Sequence, residues 1–165
     1  PLRAHRLRRE NRSRAEIPVP GRGHHHRHHV PQRNLPRPRQ EIPTERFTGT
    51  DVAGASIAIV RTDWSVHFGT IRYLAHPYPN IESLEYLRDH GITTIALDFL
   101  SLDRTPATGE EFSLANHYFW SQGDGIIGEN FTNISSITVD RPNISMLPLS
   151  LGESDGAPVR AIASW

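Results

Sequence analysis

His117 and Glu129 are the side chains of this sequence whose types and placement point to chemistry, since an imidazole nitrogen and a carboxylate oxygen both suit a hard or borderline divalent metal. They lie in one stretch, Thr108 to Ile134, reading TGEEFSLANHYFWSQGDGIIGENFTNI. Spacing alone says little, because most such pairs are surface neighbours or satisfied core histidines. What gives the pair weight is the elements that deliver it. Thr108 and Glu111 have the spacing of a capping box, in which a hydroxyl and a carboxylate satisfy the free amides of a helix start, and this predicts a short helix carrying His117. Gly123 and Gly125 stop that helix. Ile126 and Ile127 are a β-branched pair that predicts a short buried strand, with Glu129 at its mouth.

Four blocks of sequence surround and include this stretch: SIAIVRTDWS at Ser56 to Ser65, LRDHGITTIALDFLSLD at Leu87 to Asp103, NHYFWSQGDGIIGENFTNI at Asn116 to Ile134, and ISMLPLSLGESDGAPVRAIA at Ile144 to Ala163. In this order they resemble the cyclase family of metal-dependent hydrolases, whose best-known activity is that of kynurenine formamidase, or arylformamidase, in tryptophan catabolism. The resemblance implies an α/β domain of the swivelling β/β/α kind with a mixed, barrel-like sheet. It implies His117 and Glu129 as ligands of a divalent metal, zinc or manganese, a small-molecule substrate, and a homo-oligomer. It sets Trp64 at the edge of the substrate pocket, and Asp98, Ser101 and Asp103 in a loop that orders the pocket beside the metal. No catalytic residue is assigned. The family's N-terminal metal motif, His-x-Gly-Thr-His-x-Asp, has no counterpart in the chain.

The place of that motif is taken by a segment of unlike composition. Pro1 to Gln40 holds eleven Arg, six His and six Pro against two acids, a net of +9, while the remaining 125 residues hold seven Arg and sixteen acids, a net of −9. Apolar side chains are too sparse before Gln40 to fold by burial, which predicts a disordered basic arm over 1–40 and an α/β domain over 41–165. Arg clusters contact phosphates, so the arm has a nucleic-acid reading, but its histidine run at His24 to His29 has no aromatic interleaving. That run binds transition metals loosely, lacking a rigid frame. With eighteen Arg and no Lys, the arm's Arg, Pro, His and Gly are also what a frame-shifted reading of a GC-rich gene yields.

The absence of Cys excludes disulfides and thiol chemistry. No apolar run approaches the roughly twenty residues that cross a membrane, no signal-peptide core is present, and a chain without Met at position 1 reads as a fragment or processed product; cytoplasm is the expected compartment.

Along the domain, Ser56 to Arg61 reads as a buried strand. His67 and His76 fall in a polar and aromatic loop and are expected at the surface. Asn80 is placed to cap a helix whose Ile81, Leu84 and Leu87 share one face, Gly91 to end it, and Ile92 to Phe99 to follow as a buried strand, together a β-α-β unit with parallel strands. Ile144 to Leu151 and Val159 to Ala163 read as strands around a turn at Gly152 to Gly156, the hairpin to which Asp155, Gly156 and Arg160 belong. Three function classes follow: a metal-dependent amide hydrolase, a catalytically inactive relative that binds a ligand or partner, and an α/β domain with a nucleic-acid-binding arm.

Overall fold

The order of the fold starts from its most hydrophobic segment. Ile92, Ile95, Ala96, Leu97 and Phe99 are each at most 2% exposed, and a run of this kind buries both faces of a strand only when other elements cover it on both sides. In a computed structural model, which describes residues 37–165, the run forms the strand Thr94–Leu97, here β4. It is the middle strand of a three-stranded parallel sheet, flanked by β2 (Ile57–Val60) and β5 (Ile126–Gly128). Two two-stranded sheets complete the described fold. One pairs β1 (Glu41–Ile42) with β3 (Tyr78–Pro79) in parallel; the other is an antiparallel hairpin of β6 (Asn143–Pro148) and β7 (Val159–Ser164).

The helix between β3 and β4, α1 (Ile81–Asp89), begins where its sequence says it should. The Asn80 carboxamide oxygen accepts the Ser83 amide at 3.0 Å, and Gly91 takes φ +85° to end the helix, a conformation a side chain would resist. Leu84 and Leu87 are essentially fully buried, a gain of about 1.5–3 kcal/mol each from water exclusion. The helix crosses between two parallel strands, β2 and β4, so the β-α-β unit is as expected.

Three local expectations are corrected. Glu110, not Glu111, closes the turn after Thr105 by accepting the Ala107 amide at 2.8 Å, and α2 (Ala115–Ser121) starts later, without a Thr108 capping box. Ile126 is 61% exposed, because β5 pairs on one side only and is the edge of its sheet. His76 is fully buried: its ring stacks on Phe99 at 5.6 Å, Nδ1 donates to the Pro77 carbonyl at 2.8 Å, and Nε2 accepts from the Thr105 hydroxyl at 2.9 Å. The barrel-like sheet is not found either. Among the described residues the three sheets stay separate and none closes.

The other edge of the sheet is β2. Backbone carbonyls of Ser56 and Val60 accept from β4 and the loop after it, so pleat alternation turns the peptide groups of Ile57 and Ile59 to the other edge. That edge, with Ile42, Phe47, Val52 and Leu87, lines a cavity of about 720 Å³.

Candidate functional site

Parallel α/β sheets gather polar groups at the carboxyl ends of their strands, where loops leave the hydrophobic layer. After β4 the chain runs through Asp98, Ser101, Leu102 and Asp103; after β5 it reaches Glu129. The Asn130 and Phe131 amides donate to the Phe99 and Leu97 carbonyls, which holds the segment after β5 against the loop after β4. Gly128 makes the approach possible, since a Cβ there would stand 2.6 Å from the Phe131 ring.

Asp103 organises this end of the fold. Its carboxylate accepts the amides of Asn116 at 2.8 Å and His117 at 3.1 Å, capping α2 from thirteen residues upstream. The same carboxylate receives His117 Nδ1 at 2.7 Å. Asn116 secures the arrangement by donating through its carboxamide to the Pro79 and Leu102 carbonyls. On the far side of the ring, His117 Nε2 lies 3.2 Å from Glu129 Oε1, which also accepts the Leu102 amide at 2.9 Å. The imidazole is thus clamped between two carboxylates. Their hydrogen bonds, Asp103 first and Glu129 second, outweigh burial and raise the His117 pKa to about 9, while the ring lowers that of Asp103 together with two backbone donors, against the upward pull of burial.

Neighbouring groups are satisfied rather than free. The Thr62 amide and hydroxyl donate to Asp98, whose carboxyl is nevertheless raised by burial. The Tyr73 hydroxyl donates to Asn130 Oδ1 at 2.9 Å and its pKa is pushed up to about 12, chiefly by burial. Among the described residues no buried side-chain polar atom lacks a partner. Trp64 is 4% exposed, gives its indole N–H to the Tyr73 carbonyl at 3.2 Å and meets the His67 ring edge-on, so as described it packs in the core. Neither the 720 Å³ cavity nor a second one of about 220 Å³ beneath the hairpin is lined by Trp64, His117 or Glu129.

The donor set can be tested against a metal directly. Two ligands about 2.1 Å from one ion, at the angles of tetrahedral or octahedral sites, lie about 3.0–3.4 Å apart, and the Nε2 to Oε1 separation of 3.2 Å falls in that range. Asp103 behind Nδ1 is the partner a ligating histidine ordinarily has. Among the described residues, however, no group of three or more His, Cys, Asp or Glu is arranged to hold an ion. The residues present make part of a metal centre and not a whole one. Of the sequence-derived site residues, the fold brings His117 and Glu129 together, while Trp64 is buried against Tyr73 and His67. Asp103 was placed by resemblance in a loop ordering the pocket, without its bond to His117. Its signal was its position, beyond the carboxyl end of the most buried strand.

Past the strand ends of this parallel α/β fold an imidazole and a carboxylate converge, and over part of its length the chain is similar to known proteins. The family model described as putative cyclase matches residues 27–104. That match begins inside the basic arm, most of which lies outside the described residues with its nucleic-acid, histidine-run and frame-shift readings. It stops short of His117. Similar solved structures include an isatin hydrolase bound to the product analogue thioisatinate, at TM-score 0.67 and 19% identity over 76% of this chain and 53% of that one. Isatin hydrolase A from Ralstonia solanacearum gives TM-score 0.64 and 18% identity over 76% and 53%. A potential metal-dependent hydrolase with cyclase activity gives 0.57 and 19% over 75% and 58%. The chain thus spans little more than half the length of these structures. No curated protein matches it.

Proposed function

We propose that the chain carries part of the active site of a metal-dependent amide hydrolase of the cyclase family, arylformamidase-like, acting on a small molecule of the N-formylkynurenine type. The observation that carries this reading is the 3.2 Å convergence of His117 Nε2 and Glu129 Oε1 with Asp103 behind the ring. His117 and Glu129 would hold zinc or manganese. A bound divalent metal supplies an activated water and polarises the scissile carbonyl. What the chain's own residues do is narrower: Asp103 and Leu102 fix the two donors, and the packed loop keeps them facing each other. Two protein ligands fall below the three of a tight catalytic site, so activity in this chain is expected to be impaired. The likeness to the isatin hydrolases supports amide-type substrates. A cytoplasmic homo-oligomer is part of the same proposal; no described helix is long and apolar enough to cross a membrane.

The test is hydrolysis of N-formylkynurenine by the full chain with zinc or manganese added. We expect slow turnover that needs the metal and is abolished in Glu129→Gln. Turnover that ignores both metal and Glu129 contradicts the reading. A second reading, an inactive ligand- or partner-binding relative, is favoured by the lack of a third ligand among the described residues; saturable binding of N-formylkynurenine without turnover supports it.

A further inference from the structure

Both ring nitrogens of His117 face carboxylates, and only one of the two can keep a proton once the ring is neutral. We propose that Asp103 is the positioning residue that decides this: it holds the proton on Nδ1 and leaves the Nε2 lone pair turned toward Glu129, where a divalent cation would bind. The inference rests on the hydrolase reading but is separable from it.

The two carboxylates differ in distance, burial and freedom. Asp103 Oδ2 is 2.7 Å from Nδ1, whereas Glu129 Oε1 is 3.2 Å from Nε2, and the shorter charge-assisted contact is the stronger. The Asp103 side chain is 6% exposed against 27% for Glu129, so water competes far less for the Asp103 bond. Asp103 is also held by more backbone contacts. It accepts two backbone amides from the start of α2, and its own amide donates to the Ser101 hydroxyl at 3.3 Å. Glu129 accepts one backbone amide, that of Leu102, and is free to exchange its imidazole contact for a cation. One carboxylate is therefore built as a fixed proton acceptor and the other as an exchangeable ligand. Which nitrogen of a histidine can ligate is set by the hydrogen bond the other one makes.

Asp103→Asn separates this role from packing. The amide keeps the shape and can still accept the Asn116 amide through Oδ1, but in place of Oδ2, which faces Nδ1 and the His117 amide, it presents an NH₂ group and so drives the ring proton to Nε2. The experiment is long-range ¹H–¹⁵N spectroscopy of the histidine rings in the full chain through a pH series, read at the alkaline end where the ring signals stop moving, with the His117 signal identified by its loss in His117→Gln. Zinc titration of the same signal follows at near-neutral pH, where zinc stays in solution. We expect Nδ1–H in the parent chain, Nε2–H in Asp103→Asn, and an apparent zinc affinity at His117 lowered by about 10- to 100-fold in the variant. An Nε2–H ring in the parent chain overturns the proposal, and so does an Asp103→Asn chain with unchanged tautomer and zinc response. If the variant does not fold, the parent tautomer alone decides. A tautomer that switches while zinc never reaches His117 upholds the positioning role and removes the metal reading; zinc bound at His117 with the tautomer unchanged by Asp103→Asn does the reverse.

Discussion

The loop between β4 and α2 and the hairpin β6–β7 sit in one described unit and are built on opposite terms. In the loop Leu102 and Asp103 are buried, and their polar atoms pair with Asn116 at the start of α2. In the hairpin Leu147, Leu149, Ile162 and Trp165 are 59–72% exposed, and its two strands pair with nothing else. A two-stranded sheet is marginal alone in water, and contiguous exposed apolar surface of this kind is normally covered. The difference teaches that the site geometry is held by short-range packing and backbone hydrogen bonds around Asp103, whereas the hairpin contributes little to it.

Substitutions should separate the two regions by size of effect. Asp103→Ala strips the acceptor from two buried amides and one imidazole, and should cost about 3 kcal/mol in urea unfolding; a loss below about 1 kcal/mol would mean the loop is not the rigid part. Gly125→Ala places a Cβ 2.5 Å from the Trp120 ring edge and carbonyl, and should cost about 2 kcal/mol in the same assay. Leu147→Ser on the exposed hairpin face should change stability by no more than about 0.5 kcal/mol. A loss comparable to that of Asp103→Ala would show that the hairpin face is covered in solution.

Titration sharpens the same comparison, because the half-buried His117 and the buried His76 shift in opposite directions. The His117 pKa is raised to about 9 from 6.5, so its contribution is full below pH 6.5 and is lost as pH rises through about 9. The His76 pKa is lowered, first by burial, so its contribution is full above pH 6.5 and is lost as pH falls below that value. Stability measured in chelator should therefore peak near pH 6.5, with each limb no steeper than about 1.4 kcal/mol per pH unit per group. Asp103→Asn should flatten the alkaline limb and His76→Gln the acidic one. A profile flat from pH 6.5 to 9 would contradict the clamp on His117.

Much of the fold was legible because it is local. The Asn80 cap, the Ile81–Leu84–Leu87 face, the Gly91 stop and the buried strand after it are neighbours in sequence, and each was readable from residue type and spacing. The closing hairpin was readable for the same reason. The errors are non-local. Nothing near Ala115 announces that α2 is capped by Asp103, and nothing near His76 announces that Phe99 and Thr105 bury it. Ile126 looked like a core residue because a sequence does not say which strand is the edge. The site was half legible: His117 and Glu129 came from a resemblance beyond what their spacing supports, and Asp103 became a site residue only when the fold brought it to Nδ1.

The most direct test of the account is metal binding by the purified full chain, by stoichiometry and affinity, beside His117→Ala/Glu129→Ala. The account predicts that the double variant loses one bound equivalent of zinc or manganese that the parent chain holds. Equal binding in both, with all of it removed when the His24 to His29 run is replaced, would contradict a metal site between His117 and Glu129.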